Sequence, residues 1–442
     1  MIGTTNGNTD SHSFETVIGT SNGHTTDASN GISNGHTNGT DRTTIKDGSV
    51  NGLTNGTKAA LLPDANSPDL ILTTATEEER KIIWSRNSTE WGGALSVGDY
   101  LQREEYVTTT SPLTRDGGIT HWVLVDKTLP KNQRPILSCA ESIRKRAWVK
   151  TPGSYEIKEV LTHGIGGVFC FPEHRGHGYA SRMMTDLGKA LGTHQATEDV
   201  KVGFSVLWSD IGKKFYTKHG WHAFPSTHVE FPPASEGAED VEGVKLLRAN
   251  DLPKLCKEDE SLIKQAMVKA NNGKTHVAVA PDASQMEWHR SREAFLTKNL
   301  FGKMPDTRGA LVGTPGERVW VVWTRAYYGK LDAPEAGNTL HILRLVIEDE
   351  DKEQTAERVE RQARSLELCL KAAQKEATEW KLKHVELWNP SQLVQKLINK
   401  IDIEHTPVER ETSSIPSLMW YGEGDSTTDE IVWVENEKFC WC

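Results

Sequence analysis

The chain has 442 residues, 36% hydrophobic and 25% charged, with a formal net charge of −10. That length suits two or three domains at roughly 100–200 residues each, and no stretch approaches the roughly 18–20 apolar residues of a membrane span. Acids outnumber Lys and Arg 61 to 51, which argues against a nucleic-acid-binding surface, because neutralising phosphates needs surplus basic residues.

Residues 1–65 read as a disordered low-complexity tail. Of the first 57 residues, 37 are Gly, Asn, Ser or Thr, so little apolar surface offsets the entropy of ordering the backbone. The start lacks the basic and apolar regions of a secretory signal. Six scattered cysteines, Cys139, Cys170, Cys256, Cys369, Cys440 and Cys442, suit reduced thiols in the cytoplasm.

From residue 66 helical and strand patterns alternate. Thr76 followed by Glu77, Glu78 and Glu79 predicts a helix start ahead of Ile82, Ile83 and Trp84. Trp122–Val125 and Ile136–Ala140 read as strands, with Arg146–Val149 as a continuation. A strand at 166–171 leads through a glycine turn at 172–178 to a helix carrying Tyr179, Met183, Leu187, Ala190 and Leu191. A strand at Val202–Leu207 then precedes a helix with Ile211, Phe215, Tyr216 and His219. This places a first domain at 66–232 and a linker at 233–242, where Pro232 and Pro233 open a polar, acidic stretch.

The remaining residues, 243–442, partly repeat the pattern. Strands at Leu340–Ile347 and His384–Trp388 alternate with helices over Val359–Ala373 and Leu393–Ile401, and Leu387-Trp388 echoes Leu207-Trp208. The turn after Ile347 is the acidic run 348–353, read as a solvated turn that repels a phosphate. The second half is thus expected to be a structural repeat without an anion site, ending on a terminal strand from Ile431 to Cys442.

The turn Arg175-Gly176-His177-Gly178-Tyr179-Ala180 carries the chemistry. A helix N-terminus offers unpaired N–H groups and a positive dipole end, glycines admit a diphosphate close to the backbone, and Arg175 adds charge. Neither the dinucleotide fingerprint nor the Walker loop fits, since Ser181 replaces the third glycine and no Gly-Lys-Ser/Thr follows.

Arg175, Gly178 and Ala180, after a strand ending at Pro172, resemble the acetyl-CoA pyrophosphate loop of the GCN5-related N-acetyltransferases. Phe215 to Trp221 is similar to that family's Tyr-x-x-x-Gly-aromatic signature. Further likeness to fungal lysine N-acetyltransferases lies in 207–212, in Phe301-Gly302-Lys303, in Arg318-Val319-Trp320 and in 436–442. The resemblance implies a mixed α/β fold, with a central mixed sheet flanked by helices and a second domain of the same kind lacking the phosphate loop. It implies acetyl-CoA as co-substrate, no metal, no nucleic-acid or membrane partner, and a small amine as acceptor, lysine first.

The same resemblance assigns acetyl-CoA contacts to Val168, Phe169, Cys170, Arg175, Gly176, His177, Gly178, Tyr179, Ala180 and Ser209. The Cys170 N–H is the expected donor to the thioester carbonyl, its thiol being structural, and Tyr216 is the expected acid for the leaving thiolate. A lysine amine of pKa about 10.4 must also lose a proton. Glu141 is one candidate base; the Cys442 carboxylate is another, by analogy with tandem-fold relatives. Trp221 and Trp420 are candidate walls of the acceptor pocket. Rival readings are an acetyltransferase of another amine or of protein lysines, and a non-catalytic CoA-binding scaffold.

Overall fold

The computed structural model describes residues 62–333 and 335–442. The predicted tail lies outside the described residues except for 62–65, and these pack. Leu62 and Ala65 join an apolar cluster, and Tyr179 Oη donates to the Pro63 carbonyl at 2.6 Å. Packed structure therefore extends into the last residues assigned to the tail.

In the first half the elements are β1 (Leu70–Thr74), α1 (Glu77–Trp91), α2 (Val97–Thr110), β2 (Ile119–Asp126), β3 (Ser138–Lys150), β4 (Lys158–Phe169), α3 (Tyr179–Leu191), β5 (Val202–Ser209), α4 (Lys214–Thr217), β6 (His222–Ala223) and β7 (Thr227–Phe231). There follow β8 (Lys245–Leu247), α5 (Leu252–Lys269), β9 (Thr275–Val279), α6 (Ala283–Phe301), β10 (Gly309–Val312), β11 (Val319–Ala326) and β12 (Thr339–Ile347). The chain closes with α7 (Ala356–Glu379), β13 (His384–Trp388), α8 (Gln392–Ile398), β14 (Thr406–Glu409), β15 (Ile415–Trp420) and β16 (Ile431–Trp433).

Local chemistry explains the starts. Thr76 caps α1 by accepting from the Glu79 N–H, while Glu79 accepts from the Thr76 N–H. Buried Tyr179, Met183, Met184, Leu187 and Leu191 form one face of α3, which is why its spacing was legible.

Among the described residues the strands form two mixed sheets. One has nine strands in the order β1-β2-β3-β4-β5-β15-β6, with β9 beside β3 and β16 beside β9; the other has seven, β14-β7-β13-β12-β11-β10-β8. The expected repeat is present in the topology: β4 and β5 pair in parallel around α3, and β12 and β13 pair in parallel around α7. The sheets share a core in which Ala147, Val206 and Leu418 meet Trp320, Val322 and Val346.

The sheets do not divide at 233–242. β7, from the first half, runs antiparallel to β13 with Val229 opposite Leu387. Conversely β15, from the second half, runs antiparallel to β5 with Ser417 opposite Leu207. The echoing Leu-Trp pairs thus lie on strands each covered by a strand from the other half.

Three further expectations are corrected. The helix after β5 is only the four residues of α4. The end of the chain is not a strand: β16 stops at Trp433, and Lys438–Cys440 form a 3-10 turn whose neighbour Glu437 accepts from the Leu345 N–H at 2.9 Å and from Arg344. The acidic turn is not wholly solvated. Glu348 takes the Gly316 N–H and Arg318, and fully buried Asp349 takes Arg358, Arg361 and Gln362.

A buried ion network ties α6 to β11. Glu293, 1% exposed, accepts from the Arg325 N–H at 2.8 Å, from Arg325 Nη1 at 2.6 Å and from Arg308 Nη1 at 3.2 Å. Removing one partner of such a network strands the other charges. Glu293→Ala is expected to lower stability by about 3 kcal/mol, read as a reduced urea midpoint at constant slope. A midpoint equal to that of the parent would show the network to be energetically idle.

Candidate active site

The pairing of β4 with β5 ends at Ile165 and Leu207. Beyond it β4 keeps only β3, with Glu141 opposite Gly166 and Cys139 opposite Phe169. Gly167 and Val168 therefore stand against the single Ala140, a bulge in which Gly167 adopts φ +57°. The bulge turns the end of β4 away from β5 and opens a wedge whose β4 backbone is free of β5.

The predicted phosphate loop lies past that wedge. Gly178 adopts φ +85° immediately before α3, whose N-terminus has no side-chain cap, and a Cβ at Gly176 would meet nothing within 4 Å. An uncapped helix start with open space before it suits an anion. Arg175 folds back, its Nε donating to the Cys170 carbonyl at 3.1 Å. The Phe169 and Tyr179 side chains are core, so these residues offer only backbone to a ligand. His177 stacks on Tyr179 at 5.8 Å, while Val168 and Ala180 are partly buried. Ser209 is a correction: its hydroxyl donates to the Gly212 carbonyl at 2.6 Å and accepts from the Ile211 N–H at 3.2 Å, so it closes a turn. The Cys170 thiol donates to the Leu137 carbonyl at 3.3 Å, and burial raises its pKa, as befits a structural cysteine.

The structure brings the two candidate bases together at Gly166. A Cβ built there would lie 3.1 Å from Glu141 Oε1 and 3.6 Å from the Cys442 backbone oxygen. At Gly164 it would lie 2.7 Å from Cys442 Sγ. Two glycines on the same face of β4 thus leave room for Trp441-Cys442. Burial, reinforced by the Glu104 charge and opposed by Arg292 and Arg103, pushes the Glu141 carboxyl up to about 7.

Sequence reasoning missed four neighbours. His121 faces Glu141 across the β2–β3 ladder, with its Nε2 at 3.7 Å, and burial lowers it to about 4, so the ring is neutral. The register of two antiparallel strands was the missing signal. Arg292, on α6, and Lys438 both lie against the Trp441 ring, at 5.7 and 4.2 Å. Trp441 rather than Trp221 walls this region; Trp221 is fully buried and its Nε1 donates to Ser205 Oγ at 3.0 Å. One face of α6 holds the chain end: Gln285 and His289 both meet the Phe439 carbonyl, at 2.7 and 3.1 Å, and Trp288 meets Trp441.

Tyr216 lies in α4, 7% exposed, packed edge-on against Phe215 at 5.0 Å. Burial, aided by the charge of Asp210, raises its pKa, so the phenol keeps its proton throughout the neutral range. It suits donation of a hydrogen bond to a thiolate better than complete proton transfer.

Residues 228–442 match the family model described as the LYC1 GNAT-like C-terminal domain. A curated lysine acetyltransferase of Yarrowia lipolytica is 26% identical over 435 residues, covering 86% of this chain and all of that protein. An uncharacterized protein of Saccharomyces cerevisiae is 25% identical over 419 residues, covering 85% and 99%. Among solved structures, a GCN5-related N-acetyltransferase from Anabaena variabilis matches with TM-score 0.46 and 12% identity, covering 80% of this chain and 73% of that one. The chain is an acyltransferase similar to the GCN5-related N-acetyltransferases, with its family match over residues 228–442. Enzymes of that kind join an acyl-CoA to an amine acceptor. Among the described residues, the one cluster with metal-ligand spacing, His228, Glu230 and Glu386, sits on β7 and β13, with its carboxylates engaged by His384 at 2.7 Å and His341 at 3.3 Å.

The packing of this acetyltransferase's chain end against β4 is directly testable. Gly164→Ala, which also crowds Lys145 Cε at 2.9 Å, is expected to reduce stability, and Cys442→Ala in the same chain to restore part of the loss. The expected size is about 2 kcal/mol by urea unfolding. An unchanged midpoint in the single variant, or no recovery in the double, would show that the chain end packs elsewhere.

Proposed function

We propose that this acetyltransferase moves the acetyl group of acetyl-CoA to the N6 amine of free L-lysine by direct attack on the thioester. The Yarrowia lipolytica relative is named a lysine acetyltransferase. The observation that carries the reading here is Glu141: a carboxyl held at about 7, on the strand beside the bulge, next to neutral His121. A base of that strength is half-ionised at neutral pH and suits taking a proton from an ammonium.

In this reading the α3 N-terminus and the backbone at 176–180 hold the diphosphate of coenzyme A. The pantetheine arm follows β4 at 168–170, where the Cys170 N–H polarises the acetyl carbonyl. Glu141 removes a proton from the lysine ammonium, the amine attacks the carbonyl carbon, and the carbon–sulfur bond breaks as the nitrogen loses a second proton, which ends on the departing sulfur to give the free thiol. The Tyr216 phenol donates a hydrogen bond to the departing sulfur. The Cys442 carboxylate, beside Glu141, stands as the second base.

A panel of amines with acetyl-CoA, read by released thiol, tests the reading, L-lysine being the expected preferred acceptor. Transfer to other amines and none to lysine would reject it.

The pH profile separates the bases. Glu141 ionises near 7 rather than at its ordinary 4.5, so its protonated form favours folding and that contribution fades as pH climbs through 7. Activity moves oppositely: kcat/KM is expected to rise through an inflection near 7. Glu141→Gln is expected to abolish that inflection and lower kcat about a hundredfold. Retention of the inflection assigns the proton to the chain end.

Tyr216→Phe is expected to lower kcat by about a hundredfold with acetyl-CoA affinity, by titration calorimetry, nearly constant. An undiminished kcat makes Tyr216 a packing residue.

A further inference from the structure

Some buried charges in this fold are matched by acids, and others, such as Lys145 and Lys150, at least bond backbone carbonyls. Arg103 donates Nε and Nη2 to Glu104 Oε1 at 2.8 and 2.6 Å, and Arg344 donates to Asp259 at 2.8 and 2.9 Å. Arg292 is different. Its guanidinium lies 5.2 Å from the Trp288 ring and 5.7 Å from the Trp441 ring, and among the described residues it forms neither hydrogen bond nor ion pair. The nearby acids do not neutralise it, since Glu104 is engaged by Arg103 and Glu141 is largely uncharged below pH 7.

Lys438 repeats the pattern. It is 4% exposed, with Nζ 4.1 Å from the Trp388 ring and 4.2 Å from the Trp441 ring, and no hydrogen bond or ion pair among the described residues. Two partnerless cations therefore meet one indole, and the next residue, Cys442, reaches the Gly166 position that Glu141 also faces. The site has a cationic end at Trp441 and a proton-accepting end at Glu141.

We propose that Arg292, supported by Lys438, binds the carboxylate of a free amino-acid acceptor and so orients its side-chain amine toward Glu141. This rests on the acyltransfer reading above and adds the residues that recognise the acceptor's carboxylate. A guanidinium placed against two indoles offers its fork of donors to a bidentate carboxylate, and packing limits the side-chain freedom to be lost on binding. A diamine lacking the carboxylate, or a lysine inside a polypeptide, leaves the cationic end unmatched, and a buried unmatched charge is costly.

Steady-state kinetics with acetyl-CoA on L-lysine, L-lysinamide and cadaverine test this. The parent enzyme is expected to favour L-lysine over both others by about a hundredfold in kcat/KM, and Arg292→Gln to collapse that preference mainly through KM for lysine. Arg292→Lys is expected to keep an intermediate preference, and Lys438→Met to lose a smaller part of it. Titration with acetyl-CoA confirms that each variant is folded. Equal parent rates on lysine and cadaverine overturn the carboxylate assignment and leave acyl transfer standing. An Arg292→Gln loss shared equally by all three amines overturns it too, and assigns Arg292 to holding the chain's own end. No transfer to any of the three overturns the proposed function and this inference with it.

Discussion

Strand β5 pairs β4 along one edge only as far as Leu207, and β15, from the far end of the sequence, covers its opposite edge. The edge of β13 is likewise covered by β7 from the first half. An uncovered edge is a row of unpaired donors and acceptors, so neither sheet is complete without a strand from the other half. Strand exchange therefore does more than join two units. The return of the chain that brings β15 to β5 continues through β16 to Trp441-Cys442, and delivers them to the glycine face of β4 beside Glu141.

Desolvation sets the electrostatics inside. Burial is the first cause of every perturbed group there: it raises Glu141 to about 7, lowers Lys438 to about 7 and lowers His121 to about 4. Elsewhere buried charges sit in matched networks, such as Glu293 with Arg325 and Arg308, or Arg344 with Asp259 and Glu437, or bond carbonyls, as Lys145 and Lys150 do. The contrast separates structure from chemistry. A matched buried charge holds elements together, whereas an unmatched one is costly without a ligand, and its persistence points to function.

The parts legible in the sequence were those governed by local rules. Thr76 and Glu79 announced a capping box, the spacing from Tyr179 to Leu191 announced an amphipathic helix, and the glycines before it announced an uncapped N-terminus. Strand β4 was seen only from Gly166, because Lys158–Gly164 mixes polar residues with glycine and shows no apolar run. The strand exchange was not legible because it is non-local: nothing in Thr227–Phe231 says that its partner is β13 rather than β5. Ser209 was misassigned for the opposite reason, a short-range turn contact that a motif comparison cannot see. His121, Arg292 and Lys438 stayed invisible because each matters only through a neighbour far away in sequence. The Gly-x-Gly of Gly164 and Gly166 inside a strand was the one overlooked local sign that another backbone approaches closely.

The fate of the second repeat follows from the same geometry. Where the first repeat leaves α3 uncapped behind glycines, the second places buried Asp349 against Arg358, Arg361 and Gln362 at the start of α7. A carboxylate fixed there repels any phosphate, so that half is free of a cofactor's demands and bound by others. Its helix α6 is anchored to β11 through Glu293, while the face bearing Gln285, His289 and Arg292 grips residues 439–441. Adjacent residues on one helix thus do two jobs: Glu293 fixes the helix to its own sheet, and Arg292 turns toward the pocket of the other. The second repeat thus supplies the helix face against which residues 439–441 pack beside β4.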